Sequence, residues 1–449
     1  MSKIDDFTCS YNLGKRYIKF FFKRFYSEYI VVGKENIPSN CPVIFAPNHL
    51  NSVMDAIAIL TIVSQRMPLV FLARSDVFKG AIFSKILHFL KIMPAFRMVD
   101  GINNLQKNQN TFNQCINILH RKNCIGIMPE GNQGEQHRIR PIMKGIFRIA
   151  FGAQQKWGNN PMVKIIPVGI NMGHLIEANK HIIINIGKPI EISDYMISYN
   201  DNEIKTLTTI KNDLKIALSN LTLDISSNLN YDTFYSIIET INLSAIKKMK
   251  IEDNTINRFI SKQMICKRLL DIERNDIDRL DQIKILNQSF QSLCKSMGVN
   301  TTILDYNTGS IQILLIKTFW ALSILPLFVL GVFLNFFPVY VPVVIRKIMN
   351  VEYEGFFSSI HFGIGLISYP FFYIFQSILL TYLFHLDWKV FFIFILVHFA
   401  FRKTTFEWYR MYKDFVSKWR YILIKTYKKE KFNELNTIYQ KLNNICLEN

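Results

Sequence analysis

The sequence predicts an α/β fold, a mixed sheet flanked by helices, followed by a helical region and C-terminal membrane helices. Three observations predict it. Between residues 29 and 195, short apolar β-like runs alternate with helical patterns, the rhythm of a layered α/β architecture. Residues 201–310 become Asn-, Lys- and Ile-rich, with helical spacing and few strand signals. Beyond them, 313–345 and 357–384 each exceed the roughly 20 apolar residues that a spanning helix needs. With 449 residues and 49% hydrophobic content, the chain suits about two or three domains and is too apolar to be disordered.

Taken in order, the N-terminal segment 1–28 is dominated by YNLGKRYIKFFFKRFYSEY (11–29). It interleaves Lys15, Arg16, Lys19, Lys23 and Arg24 with Tyr17, Ile18, Phe20, Phe21, Phe22 and Phe25, which is not the pattern of a signal peptide. It reads as an interfacial helix with aromatics in the headgroup boundary and cations on anionic lipid. A surface helix packed through its Phe face is the alternative. The domain at 29–200 follows, with strand candidates at 29–32, 41–46, 68–73, 124–129, 163–170 and 181–187. Helical patterns at 53–64, 80–91, 104–121 and 144–156 fall between them. Residues 201–310 read as a helical insert or linker without chemistry of their own. In the membrane region, 311–402, a third apolar run at 390–401 is short for a crossing and reads as a re-entrant or interfacial piece, or as the second arm of a hairpin. The tail, 403–449, is basic, which by the positive-inside tendency places it in the cytoplasm. With the N-terminal domain also cytoplasmic, the crossings number two, or none if the apolar runs are re-entrant.

The formal charge of +19, from 53 Lys and Arg against 34 Asp and Glu, calls for an anionic partner. Nucleic acid is excluded, because no zinc-finger spacing, RNA-recognition signature or isolated basic arm is present. An anionic membrane surface or an anionic substrate remains. The seven cysteines are scattered without a CxxC, so neither a disulfide framework nor a zinc site is indicated, and a reducing, cytosol-facing domain follows. No metal or cofactor is implied.

Chemistry concentrates in PNHLNSVMD (47–55), a polar interruption between the apolar runs CPVIFA and AIAIL. His49 follows a strand and precedes a helix, on the lip of an α/β layer where small-molecule sites tend to lie. An imidazole there can take a proton from an alcohol, and a carboxylate on its other nitrogen fixes the tautomer and stabilises the imidazolium. Asp55 can be that carboxylate only if His49 lies outside the helix, since six positions on one helix would separate the two by about 120°. A purely local reading competes: Ser52 as N-cap with Asp55 three residues later makes a capping box, and Asn48 and Asn51 are then ordinary turn residues.

Three further segments add to this one. IMPAFRMVDG (92–101) presents Arg97 after an apolar helix and a proline. IGIMPEGNQGEQHRIRPIMKG (125–145) ends a strand in Pro129, Glu130 and Gly131 and then supplies His137, Arg138, Arg140 and Lys144, a glycine-containing turn with cations that suits a phosphorylated ligand. IIPVGI (165–170) is a strand interrupted by Pro167, which by itself indicates an edge or a bulge.

In this order and at these intervals, over about residues 25–190, the four segments resemble the glycerolipid acyltransferase family, which includes glycerol-3-phosphate and lysophosphatidate acyltransferases. The resemblance implies a catalytic pair in His49 and Asp55, binding of the acceptor's phosphate by Arg97, Glu130 and Gly131, and an acyl-side role for Pro167. Two departures stand out. The family separates its His and Asp by four residues, whereas five intervene here, and its Glu-Gly block continues Thr-Arg, whereas Asn132 and Gln133 follow here. Arg138 or Arg140, with Lys144 in the same loop, then stands in for the missing cation. The implied enzyme moves a fatty acyl group from acyl-CoA or acyl carrier protein to a hydroxyl of glycerol-3-phosphate or lysophosphatidate, with backbone amides near Gly131 as oxyanion donors. Its partners are that donor, a phosphorylated glycerol acceptor and anionic membrane lipid. Its membrane segments fit a bacterial inner membrane, or the endoplasmic reticulum in a yeast-like branch. Rivals are a serine hydrolase using Ser52, for which no GxSxG elbow exists, a non-catalytic membrane scaffold of the same fold, and an acyltransferase for another lysolipid or amino-lipid acceptor.

Overall fold

The computed structural model describes residues 3–78, 80–96, 103–158, 162–305 and 311–447. The chain divides into two compact units, one comprising 1–224 with 351–362, the other 225–350 with 363–449.

The first unit opens with α1 (Cys9–Phe25) and β1 (Glu28–Val32), then β2 (Val43–Pro47), α2 (Ser52–Ile62) and β3 (Leu69–Arg74). There follow α3 (Ala81–Phe89), β4 (Ile92–Ala95), α4 (Asn103–His120), β5 (Cys124–Gly126), α5 (Gly145–Trp157) and β6 (Lys164–Met172). The unit closes with β7 (His181–Ile186), β8 (Ile190–Glu191), α6 (Met196–Asp201) and α7 (Glu203–Leu221). The strands form one sheet in the order β1-β7-β6-β2-β5-β3-β4, with β8 on β6. All pairs are parallel except β6 with β7 and β6 with β8, so the sheet is mixed. Every residue of β2 is buried, as expected for a central parallel strand covered on both faces. The core gathers Ile44, Val70 and Ile125 from the sheet with Phe147 and Phe151 of α5 and Leu214 of α7. Strand β4 was absent from the expected elements because IMPA is short and carries a proline, both of which weaken a strand signal.

Two local devices differ from what the sequence suggests. Lys15 and Lys19 of α1, expected on a lipid surface, turn inward. Lys15, 1% exposed, donates to the carbonyls of Ser64 (2.7 Å) and Met67 (2.8 Å), and Lys19 donates to that of Val63 (2.6 Å). They fasten the turn that follows α2, and Lys19 does so at the C-cap Val63, where a cation is favoured by the helix dipole. Pro167, in turn, lies inside the central strand β6, opposite Ala46 of β2. On its other side β8 pairs only with Lys164 and Ile165, and β7 begins at Val168. Pro167 thus occupies the gap between two partners, where no N–H is required, and its carbonyl accepts from Gly187 (2.9 Å).

The second unit is helical. Helices α8 (Tyr231–Met249), α9 (Thr255–Asn275) and α10 (Ile277–Met297) pack with the C-terminal helix around Ile238, Ile283, Phe290 and Leu435. Helices α11 (Ile311–Ile348) and α12 (Phe357–Leu383), with the turn before α12, are long and apolar enough to cross a membrane. The short apolar run at 390–401 opens α13 (Val390–Tyr427), a continuous 38-residue helix, and α14 (Lys429–Leu447) ends the fold. Pro342 has no N–H for the carbonyl of Pro338 one turn earlier, and Ser368 of α12 donates to that carbonyl instead (3.1 Å). Tyr373 to Asn335 (2.6 Å) and Trp408 to the Ala321 carbonyl (2.9 Å) likewise pair polar groups inside this bundle.

Candidate active site

Because β2 and β5 are parallel, their C-terminal ends share one edge of the sheet, and the turns that leave them meet there. Residues 48–51 follow β2, and 127–131 follow β5. Ile127 continues the ladder by donating to Phe45 (3.0 Å). Asn48 continues it on the other side: its main-chain N–H donates to Val168 (3.2 Å). Its side-chain amide both donates to the carbonyl of Ile170 (3.2 Å) and accepts from that residue's N–H (2.6 Å). The side chain of Asn48 therefore does the work of one more strand residue, and the direction in which His49 leaves the sheet is fixed.

His49 Nδ1 lies 2.9 Å from Asp55 Oδ2. The same oxygen accepts the backbone N–H of Leu50 (2.9 Å) and Asn51 (2.7 Å). Asp55 is fully buried, while His49 keeps 16% of its side chain exposed. The carboxylate thus binds both the ring and the turn that carries it. Asn51, not Ser52, occupies the N-cap position and makes no side-chain cap bond, so the capping box read from Ser52 is not formed. Ser52 instead starts α2 at φ +42°, in the left-handed region. That single left-handed residue absorbs the additional residue between His49 and Asp55 and lets the pair meet outside a continuous helix. A non-glycine residue there costs roughly 1 kcal/mol. Ser52→Gly is therefore expected to stabilise the unit by up to about that amount and Ser52→Val to destabilise it by more, as thermal unfolding would register. Equal melting temperatures for the two variants would contradict the left-handed turn.

Glu130, at the end of the β5 turn, is 3% exposed, and its two oxygens hold two partners. Oε1 accepts the backbone N–H of His49 (2.9 Å), and Oε2 accepts the N–H (3.1 Å) and Nε (2.8 Å) of Arg140. Arg140 in turn donates to the carbonyl of His49 (3.0 Å), which also accepts from the N–H of Gly134 (3.2 Å). Glu130 and Arg140 clamp both ends of the His49 residue's main chain. Burial pushes the Glu130 carboxyl above its ordinary pKa, with the Arg140 charge and its hydrogen bonds opposing that rise. Gly131 adopts φ +69°, and a Cβ there would come within 3.1 Å of Met143. Its N–H donates to the carbonyl of Met128 (3.1 Å), so this amide, expected to face an oxyanion, is engaged in its own turn. Arg138 is half-buried in the following loop, and Lys144 is exposed immediately before α5. Pro167 is buried and directly precedes the Val168–Ile170 stretch that Asn48 grips. Arg97 lies outside the described residues.

Asn48 and Asn51, which read as ordinary turn residues, carry more than a turn. Besides the bonds of Asn48, the Asn51 side chain donates to the carbonyl of Leu175 (2.8 Å) and accepts from Ser358 (2.7 Å). The only sequence signal for either was their position beside His49.

Residues 28–171 match the acyltransferase family model. Two yeast proteins (Saccharomyces cerevisiae) are similar over part of this chain. Glycerol-3-phosphate O-acyltransferase 2 is 26% identical over 157 residues, 34% of this chain and 20% of that protein. Glycerol-3-phosphate O-acyltransferase 1 is 32% identical over 84 residues, 19% of this chain and 11% of that protein. Residues 28–171 are thus an acyltransferase-type domain. The matches cover only about a fifth and a tenth of the length of those two relatives. A solved structure, the 1-acyl-sn-glycerophosphate acyltransferase PlsC from Thermotoga maritima, aligns at 21% identity over 46% of this chain and 79% of its own, with a TM-score of 0.34. The matched residues end before the sheet does: β7 and β8, and the helix α7 that covers the core, follow them.

Proposed function

We propose that the chain is a membrane acyltransferase that moves a fatty acyl group from a thioester donor, acyl-CoA or acyl carrier protein, to a hydroxyl of a phosphorylated glycerol acceptor. The observation that carries the reading is the His49–Asp55 pair. Nδ1 bonds to the buried carboxylate, which leaves Nε2 of the partly exposed ring for a substrate hydroxyl. Nε2 removes the hydroxyl proton as the oxygen attacks the thioester carbonyl. The C–O bond forms, the C–S bond breaks, and the proton returns to the departing thiolate. General-base help of this kind is worth about 10² to 10⁴ in rate, and holding donor and acceptor together supplies much of the rest. Glu130 and Arg140 keep His49 in place through its main chain, and Arg97, Arg138 and Lys144 provide cations for the acceptor's phosphate. The apolar helices hold the enzyme at the membrane where acyl chains are delivered, with the N-terminal unit and the basic tail on the cytoplasmic side.

The test is thiol release and product analysis with the purified full-length protein, labelled acyl-CoA, and three acceptors: glycerol-3-phosphate, lysophosphatidate and monoacylglycerol. Labelled phosphorylated product with either phosphate acceptor is expected. Preference for monoacylglycerol would remove the phosphate reading, and absence of thiol release with every acceptor and donor would remove the enzyme.

A further inference from the structure

The two membrane-length helices are joined by residues 349–356, and the chain from Val351 to Phe362, which includes the first six residues of α12, belongs to the acyltransferase unit, whereas α11 and the rest of α12 belong to the other. This strap touches the His49 turn at two places and α1 at a third. Ser358, buried at 2% exposure, donates from Oγ to Asn51 Oδ1 (2.7 Å). Gly355 lies against the carbonyl of Leu50: a Cβ at this position would come within 3.2 Å of that oxygen and 2.5 Å of the Tyr353 ring. Phe362 sets its ring edge-on between Phe22 (5.8 Å) and Phe25 (5.7 Å) of α1. Leu50 and Asn51 are the two residues whose N–H groups bind Asp55, so the strap presses on the backbone that holds the carboxylate toward His49.

We propose that Ser358 and Gly355 are positioning residues for acyl transfer, and that the His49 turn reaches its working geometry only with the 351–362 strap docked. The proposal deepens the acyltransferase reading and rests on it for its kinetic consequence, though not for its structural one. Three bonds converge on one oxygen of Asp55, and nothing else among the hydrogen bonds described above fixes the Oδ1 side of Asn51. Loss of the Ser358 hydroxyl leaves that buried amide oxygen without its donor, and the turn relaxes to find another. A displacement of about 1 Å at His49 is enough to lower turnover greatly. The chain segment that joins two membrane helices therefore also completes the reaction centre.

The experiment uses the full-length protein in lipid nanodiscs and compares wild type with Ser358→Ala, Gly355→Val and, as a control at an exposed position of the same strap, Glu354→Gln. Two quantities are read on folded protein verified by thermal unfolding: amide exchange in the 48–56 peptide by mass spectrometry, and kcat with KM for both substrates. Exchange in Ser358→Ala is expected to quicken about five- to tenfold, as fits the loss of one buried hydrogen bond. kcat should fall about tenfold or more, KM should hold within twofold, and Glu354→Gln should match wild type. A merely structural Ser358 would lower the melting temperature without moving the 48–56 exchange or the kcat of the folded fraction, and that outcome overturns the proposal. Gly355→Val pushes the strap away by bulk without removing a hydrogen bond. If Ser358→Ala does not fold, unchanged 48–56 exchange in Gly355→Val overturns it equally. If the wild type transfers no acyl group, the acyltransferase reading fails by itself, and the exchange arm still decides whether the strap holds the turn.

Discussion

Replacing His49 by alanine is expected to lower acyl transfer by about 10² to 10⁴-fold, the usual worth of a positioned general base, while the protein remains folded. The loss should be kinetic because the turn does not depend on the ring. Asp55 Oδ2 keeps the N–H groups of Leu50 and Asn51 when the imidazole is gone, and Glu130 and Arg140 hold the main chain of residue 49 whatever its side chain. The stability cost is then that of one hydrogen bond to a charged group, about 1.5 kcal/mol, which thermal unfolding would detect without loss of the native state. Asp55→Asn separates the two duties of the carboxylate. Its amide oxygen can still accept the two backbone N–H groups, but it carries no charge to stabilise an imidazolium, so activity should fall by orders of magnitude while the turn survives. Normal turnover in His49→Ala would end the general-base mechanism. A fully active Asp55→Asn together with an unstable Asp55→Ala would reduce Asp55 to a fastening of the turn.

Glu130→Gln is expected to be the most damaging of the near-isosteric substitutions, in stability and activity together. The glutamine oxygen can replace one partner, but its NH2 group then faces the Arg140 donors, and a guanidinium with 21% exposure loses its counter-charge. Breaking a buried pair by removing one partner costs about 3–5 kcal/mol, and the partial exposure of Arg140 puts this case near the lower figure. Activity should drop as well, since Arg140 loses the carboxylate that aims it at the His49 carbonyl, and kcat measured on the folded fraction should fall about 100-fold. Arg140→Lys should be milder, because an ammonium can still neutralise Glu130 although it cannot reproduce the fork. The measurement is a denaturation curve beside the kcat of each variant. Wild-type stability with impaired KM for the phosphorylated acceptor alone would instead return Glu130 and Arg140 to the phosphate site that the sequence suggested.

Much of this was readable before any coordinates, and the reasons it stops are local. Strands β1, β2, β3, β5, β6 and β7 stood out as apolar runs bounded by turn residues, and in β2, β5 and β6 burial on both faces writes itself as nearly continuous apolar sequence. The resemblance marked His49, Asp55, Glu130 and Gly131 because their residue types recur in a fixed order. What the sequence could not supply were hydrogen-bond partners. That Glu130 serves the main chain of His49, 81 positions earlier, depends on two parallel strands ending at one edge. The inward turn of Lys15 depends on where α2 ends, since an amphipathic pattern describes a face without saying what covers it. The five-residue gap between His49 and Asp55 departs from the family's spacing by one residue, and only the left-handed Ser52 shows how the chain closes it. Ser358, some 300 positions from Asn51, sits in a stretch that reads as the beginning of a membrane helix and nothing more.

The strap at 351–362 has a practical bearing on how this protein can be handled. A shortened chain ending near Asp224 would contain every residue that the family pattern marks, and its boundary would look natural for producing a soluble catalytic fragment. Such a fragment would lose Phe362 from between Phe22 and Phe25, and Asn51 would lose Ser358, leaving an aromatic gap in the surface and an unmet amide under the reaction centre. Sparing the hydrophobic helices would therefore not spare the enzyme. A better fragment would carry the dozen strap residues back by a designed linker, and its recovery of activity would depend on the linker's reach more than on its composition.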